Sequence, residues 1–293
     1  MSDFFLELFS EEIPALLQKD ARENILKLFK EGLEKKEIVY KSSFSYSTPN
    51  RLVFFISGIP LKINKKAHKI RGPRVDSSKQ AIEGFAKSQK IDLKNLVEEK
   101  TDKGKFYFAK VESKIKLAQE ELANIIPEIL KKFSWKKSMK WGSYDLSWGR
   151  PLRSILALFD KNVIKFEFYH IKSSNFTFLD SQLQTNQKKI KNFNDYLNQL
   201  KNNKIILDHN IRKKFINEKI IKISKSKEIK ASINEKLLNE VNDIVETPKV
   251  ILCKFNQDFL NIPKEIIITS MQHHQKYFPT FDLKGNLLNT FFV

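Results

Sequence analysis

The chain is short of cysteine, glycine and long apolar runs, and each shortage excludes something. One cysteine in 293 residues, Cys253, leaves no partner for an intramolecular disulfide framework and suits a reducing compartment. It lies in the apolar run Val250, Ile251, Leu252, Cys253, where a buried, inert thiol is expected. The eight glycines show neither P-loop nor dinucleotide-binding spacing. No loop is therefore expected to cradle phosphate with its backbone amides, and ATP binding by this chain alone is not supported. No apolar run approaches the roughly 18 residues a membrane span needs. The start Met1, Ser2, Asp3, followed by Glu7, Glu11 and Glu12, lacks the basic opening of a signal peptide, so a cytoplasmic location is expected.

Histidine is equally sparse. His68, His170 and His209 stand apart, and the adjacent His273 and His274 would point about 100° from each other on a helix, so no metal site is expected. Ser10, Glu11 and Glu12 offer neighbouring carboxylates but no third group, and acids at a helix start commonly stabilise its positive end. No catalytic residue is expected in this chain.

What is abundant is apolar and basic. Hydrophobic residues make up 41% and aromatics 12%, enough to offset the entropy of ordering, so the chain folds. Its length suits two domains. Lys+Arg 53 against Asp+Glu 34 gives a formal charge of +19, which favours a polyanion through long-range attraction and counterion release. The same Lys-rich excess, travelling with Ile and Asn, is also what an A·T-rich genome produces.

Local patterns predict an α+β fold of mixed or antiparallel sheets with packed helices. Phe4 to Leu8 reads as a strand, and Pro14 suits the first turn of a helix whose inner face carries Leu17, Ala21, Ile25, Leu28 and Phe29. Gly32, Lys35 and Lys36 mark its end. Thr48, Pro49, Asn50 form a turn before a buried strand from Arg51 to Ile56. Lys62 to Ser78 is expected to be a loop, because Gly72 and Pro73 oppose a regular element. Ala81 to Gln89 reads as a short helix, Lys103 and Gly104 as a turn, and Phe106 to Val111 as a strand. A helix starts near Leu117, with Pro127 either kinking it or opening a new one.

All three tryptophans, Trp135, Trp141 and Trp148, lie between Ser134 and Arg153 among Lys136, Lys137, Lys140 and Arg150. Strands at Ile155 to Phe159 and Val163 to Tyr169 follow, and a domain boundary is expected near Asn175, dividing 1–175 from a helix-rich 176–293. Phe193, Tyr196, Leu197, Leu200 and Ile211, Phe215, Ile216, Ile220 mark two amphipathic helices. Ser232 with Glu235 spells a capping box before Leu237 and Leu238. Val250 to Phe255 reads as a buried strand, Pro263 opens a helix through Met271, and Lys284, Gly285, Asn286 turn a final hairpin. The sequence stops at Val293 inside that last strand, which is expected of a partial chain.

The basic and aromatic residues suit RNA, since arginine contacts phosphate bidentately and an exposed ring stacks on an unpaired base. The candidates are Arg51, Arg71, Arg74, Lys140, Trp141, Arg150, Arg153, His273, His274 and Lys276. Set against this, the tryptophans also fit as core anchors, the cations as solvated charges and the histidine pair as a polar helix end.

Eight stretches occur in order: Leu6 to Pro14 (LELFSEEIP), Thr48 to Leu52 (TPNRL), Arg71 to Arg74 (RGPR), Thr101 to Gly104 (TDKG), Met139 to Gly142 (MKWG), Gly149 to Leu152 (GRPL), Val245 to Val250 (VETPKV) and Met271 to Pro279 (MQHHQKYFP). Together they resemble the β subunit of the two-subunit bacterial glycyl-tRNA synthetase. The resemblance implies an α2β2 ligase that joins glycine to tRNA(Gly) with ATP and Mg used at the α-subunit active site. On this chain it places tRNA binding and subunit assembly. It further implies a likeness to the B3/B4 region of phenylalanyl-tRNA synthetase β subunits, and a family chain more than twice this length. Where the family carries Gly-His-Arg-Phe, this sequence has Leu179, Asp180, Ser181, Gln182. Two other roles stay open: a hydrolytic tRNA-editing module, and a scaffold that docks the α subunit without touching RNA.

Overall fold

A computed structural model describes the chain except residues 66, 103, 112 and 180–185. In chain order it runs β1 (Ser2–Ser10), α1 (Ala15–Lys35), β2 (Ser42–Thr48), β3 (Arg51–Ile59), β4 (Lys62–Lys65), β5 (His68–Arg74), α2 (Lys79–Gln89), β6 (Leu96–Thr101), β7 (Gly104–Val111), β8 (Lys114–Leu117) and α3 (Ala118–Lys132). Then come β9 (Leu152–Phe159), β10 (Asn162–Val163), β11 (Glu167–Phe168), β12 (Ile171–Ser174), β13 (Phe176–Phe178), β14 (Gln187–Lys189), α4 (Phe193–Asn202) and α5 (His209–Ser226). The last elements are β15 (Lys230–Ala231), α6 (Glu235–Ile244), β16 (Leu252–Lys254), α7 (Lys264–Thr269), β17 (Phe278–Phe281) and β18 (Leu287–Phe292). This is an α+β architecture, as the patterns predict.

The chain divides into a discontinuous unit, Met1–Ile59 with Leu122–Val293, and an inserted one, Pro60–Glu121. The boundary expected near Asn175 falls inside the first unit. One of that unit's apolar clusters joins Phe5, Val53 and Leu156 to Leu179, Tyr196 and Leu200, from both sides of position 175.

In the first unit a mixed sheet runs β11-β12-β9-β1-β3-β2, with β10 beside β9. The central strand β1 pairs antiparallel with β3 and β9. It is covered on both faces, which explains why FFLELF is nearly all apolar rather than alternating. The two-residue period sends Phe4 to one face, where Phe29 of α1 stacks on Phe54 at 4.1 Å. It sends Phe5 to the other, where Phe193 and Tyr196 of α4 pack at 5.4 and 5.2 Å. Phe193 is partly buried; each of the fully buried rings contributes roughly 1.5–3 kcal/mol.

A second sheet, β15-β17-β18-β16, is covered by α5 and α6 through Ile216, Ile220, Leu237 and Leu238 against Phe278 and Phe292. Several local expectations shift here. Asn234, not Ser232, caps α6, its side chain accepting from the N–H groups of Lys236 and Leu237 at 2.8 and 3.3 Å. Ile211 is 60% exposed rather than facing the core. The expected buried strand around Cys253 is the short β16, only half-buried because it borders the sheet and pairs with β18 alone.

The inserted unit holds a pair, β4–β8, and a sheet, β5-β7-β6. The loop expected over Lys62 to Ser78 is instead these two strands, β4 and β5. The ladder of β5 with β7 shifts register between Arg71 and Arg74, so Gly72 and Pro73 sit in a bulge on an edge strand, where a missing N–H costs no ladder bond. Further along, α3 continues through Pro127 without a break.

Candidate nucleic-acid interface

Three of the eight stretches meet at the end of the central sheet. Ser10 N–H donates to Asn50 O at 2.8 Å, Glu11 N–H to Pro151 O at 2.9 Å, and Ile13 N–H to Pro49 O at 2.5 Å. Beneath them lies a buried charged cluster, to which a fourth stretch contributes Glu246. Arg51 Nε is 3.3 Å from Glu7 Oε2, its Nη1 donates to Glu246 and its Nη2 to the Phe178 carbonyl. Glu7 also accepts from Thr177 Oγ1 at 3.0 Å and from the Tyr196 hydroxyl. Burial raises the Glu7 pKa, and Arg51, Tyr196 and Thr177 offset it only in part. Burial disfavours the Arg51 charge, yet Glu246 and Glu7 more than compensate and hold the guanidinium above its ordinary value. Arg51 therefore leaves the set of RNA candidates: it is a core cation whose side chain is turned wholly to internal acceptors.

A second polar cluster floors an open cleft of about 790 Å³ between α1, α5 and α6. Arg22 Nη1 donates to Ser47 Oγ at 2.5 Å and lies 3.9 Å from Asp243, while Arg212 Nη2 lies 3.6 Å from the same carboxylate. Burial raises the Asp243 pKa against these two arginines. His209, at the start of α5, is pushed down to about 4 by burial and by Arg22, so it is neutral near pH 7. By sequence it is an isolated histidine; the cation that helps hold it neutral comes from α1, far away along the chain. These perturbed groups are spent on one another rather than arranged around a substrate position. Among the described residues no group of three His, Cys, Asp or Glu could hold a metal ion, and no helix is long and apolar enough to cross a membrane.

The remaining candidates reach the surface. In the inserted unit Arg71 and Arg74 are exposed and both lie over the Phe106 ring, at 3.8 and 5.7 Å. A Cβ on Gly72 would collide with the ring of Phe85, so the RGPR bulge needs glycine to lie flat on α2 while its arginines reach β7. The packing of this bulge thus accounts for the stretch on structural grounds. The Lys103 position of the TDKG turn and the substitution at Asp180, Ser181 and Gln182 lie outside the described residues.

In the first unit the tryptophan segment splits by role. Trp148 is 1% exposed and packs with Trp135, Phe133 and Phe168. A Cβ on Gly149 would come within 2.6 Å of Trp135, which accounts for the glycine of GRPL. Trp141 is only half-buried and packs T-shaped with His170, ring centroids 6.2 Å apart. Lys140 is exposed, 3.6 Å from Asp145; Arg153 pairs with Glu11 at the rim of the motif junction; Arg150 is half-buried, its Nη1 donating to the Gly149 carbonyl at 2.9 Å. His273 and His274 are exposed on a π-helical turn that ends at Lys276, whose φ is 61° and whose ammonium lies 2.9 Å from Glu240. Met271, Tyr277 and Phe278 anchor that run to the core beside it, Tyr277 stacking on Phe291 at 4.7 Å.

The geometry thus gives dispersed cations with aromatic neighbours and no enclosed reaction centre among the described residues. The model of one family, described as the glycyl-tRNA synthetase beta subunit, matches residues 4–293. The glycine–tRNA ligase beta subunit of Rickettsia felis is 36% identical over 293 residues, covering 99% of this chain and 44% of its own. Those of Rickettsia canadensis and Rickettsia conorii are each 36% identical over 98% of this chain and 43% of theirs. This chain spans less than half the length of the curated relatives it matches. The chain belongs to the glycyl-tRNA synthetase beta subunit family.

Proposed function

We propose that this chain acts as part of the β subunit of an α2β2 glycine–tRNA ligase in the cytoplasm. There it contributes tRNA binding and subunit assembly, while ATP and Mg serve the α-subunit active site. Family membership supports the ligase; the observation that carries the RNA contact is the exposed Arg71 and Arg74 pair over Phe106. The Arg71 guanidinium, 3.8 Å from the Phe106 ring centroid, presents several donors in a fixed plane, a match for phosphate oxygens. A relation to the B3/B4 region of phenylalanyl-tRNA synthetase β subunits belongs to the same reading. The editing alternative draws less support, because Glu7 is sealed in the core and Asp243 is held by two arginines.

Replacing Arg71, Arg74, Arg150 and Arg153 by Ala in the assembled enzyme is expected to weaken tRNA binding. The slope of log affinity against log salt should become shallower by about 1 for each phosphate that is no longer neutralised. Unchanged affinity and slope would leave α-subunit docking as this chain's role.

A further inference from the structure

The loop that carries Trp141 and Tyr144 and the hairpin joining β11 to β12 bring three rings together, half-buried Trp141 and exposed Tyr144 against His170, with exposed Tyr169 next to His170 in the chain. Tyr144 and His170 lie face to face, centroids 3.4 Å apart and planes within 8°. Trp141 meets His170 edge-on at 6.2 Å, and Tyr169 stands edge-on to Phe168 at 5.0 Å. Behind them Phe168 packs on Trp148, so the ledge is anchored in the aromatic core. Tyr144 is 44% and Tyr169 51% exposed, and His170 is exposed as well.

The hairpin tip is costly. Phe168 pairs with Ile171, which leaves Tyr169 and His170 as a two-residue turn, and Tyr169 has φ 54°. Turns of this length with positive φ at the first central position ordinarily put glycine there, and a bulky residue is strained in that conformation. The sequence thus tolerates strain to present two rings on an exposed tip. Strain of this kind gathers at binding sites. The parallel Tyr144–His170 pair has the flatness and spacing of stacked bases, and Lys140, 3.6 Å from Asp145, stands beside Trp141 in the chain.

We infer that this ledge of Trp141, Tyr144, Tyr169 and His170 is a stacking platform for an unpaired nucleotide of RNA. The inference rests on the RNA-binding reading above and deepens it: the arginines take phosphate, and the ledge takes a base. A base that extends the ring stack needs no particular sequence, because every base has a π-face. A duplex, whose bases are already stacked, gains nothing from it.

The test uses the full-length subunit in its assembled enzyme, with short single-stranded oligoadenylate and a blunt-ended RNA duplex as probes. Oligoadenylate is expected to quench tryptophan fluorescence through Trp141. The Tyr144→Ala/His170→Ala double variant should bind it on the order of tenfold more weakly, with duplex affinity unchanged. Tyr169→Gly separates function from folding: it relieves the backbone, so thermal stability should hold or rise while single-strand affinity falls. Equal oligoadenylate affinity for wild type and variants overturns the inference. If the four-arginine variant still loses tRNA affinity in that case, the RNA reading survives without the ledge; if it too is unchanged, both fail. Loss of the α subunit in sedimentation by the ledge variants, with RNA affinity intact, overturns the inference in favour of a protein contact.

Discussion

Arg51 and Glu7 face each other 3.3 Å apart, and neither side chain exposes any surface. Glu7 comes from the central strand of the sheet and Arg51 opens its neighbour, while Glu246, the second carboxylate on Arg51, arrives from the loop after α6. The cluster therefore ties two strands of the central sheet to a segment far along the chain. Its energetic character follows from burial: removing Arg51 leaves Glu7 and Glu246 buried without their shared counter-charge.

Arg51→Ala is expected to destabilise the fold by about 3–5 kcal/mol, the usual cost of orphaning a buried ion-pair partner. Arg51→Lys should recover little, because one ammonium cannot reach Glu7, Glu246 and the Phe178 carbonyl in separate directions. Urea denaturation measures the loss. RNA affinity per folded molecule should stay at the wild-type value, and a specific drop there would return Arg51 to the interface.

His209 makes stability depend on pH. Between its ordinary value of 6.5 and the folded value of about 4, the unfolded chain binds a proton that the folded chain refuses. Stability then rises with pH through this window and is lost as pH falls from 6.5 towards 4. Solvent screening of a part-buried side chain limits the effect to about 1–2 kcal/mol. His209→Asn should flatten that portion of the melting-temperature profile; parallel profiles for variant and wild type would remove His209 as its source.

At the start of α6 the structure and the capping-box pattern make opposite claims. Asn234→Ala should cost about 1 kcal/mol, since its side chain satisfies two open helix donors, and Ser232→Ala should cost less. Ser232 uses its backbone N–H on the Pro279 carbonyl, and its hydroxyl accepts from Gln272 at 3.5 Å. Thermal denaturation of both variants decides; a larger loss for Ser232→Ala would reinstate it as the cap.

The helices and the buried strands are legible in the sequence wherever a period is clean. β1, α1, β3 and β9 stand where the apolar patterns put them, because burial on fixed faces writes itself into residue spacing. β5 is hidden for a local reason: Gly72 and Pro73 break regular elements in general, yet an edge-strand bulge accommodates both. Arg51 is hidden for a non-local one. A charged residue after a turn looks solvated unless its partner is known, and Glu246 lies 195 positions away. The ledge is half visible. Trp141 and Lys140 stand out by composition, but His170 reads as an isolated imidazole because nothing in its neighbours names Tyr144 as its stacking partner. A signal is present all the same: Tyr-His where a tight turn between Phe168 and Ile171 would ordinarily carry glycine.

The insertion of Pro60–Glu121 between β3 and β9 bears on how the protein comes into being. β1 leaves the ribosome well before its partner β9, which follows only after the whole inserted unit has been made, since Phe4 pairs with Phe159 and Leu8 with Ile155. At typical synthesis rates that interval is on the order of ten seconds. For that time one edge of this highly apolar strand is unpaired, a template for pairing with another chain. β3 and β2 can close only the opposite edge, so the β9 side of β1 stays open in the nascent chain until β9 itself emerges.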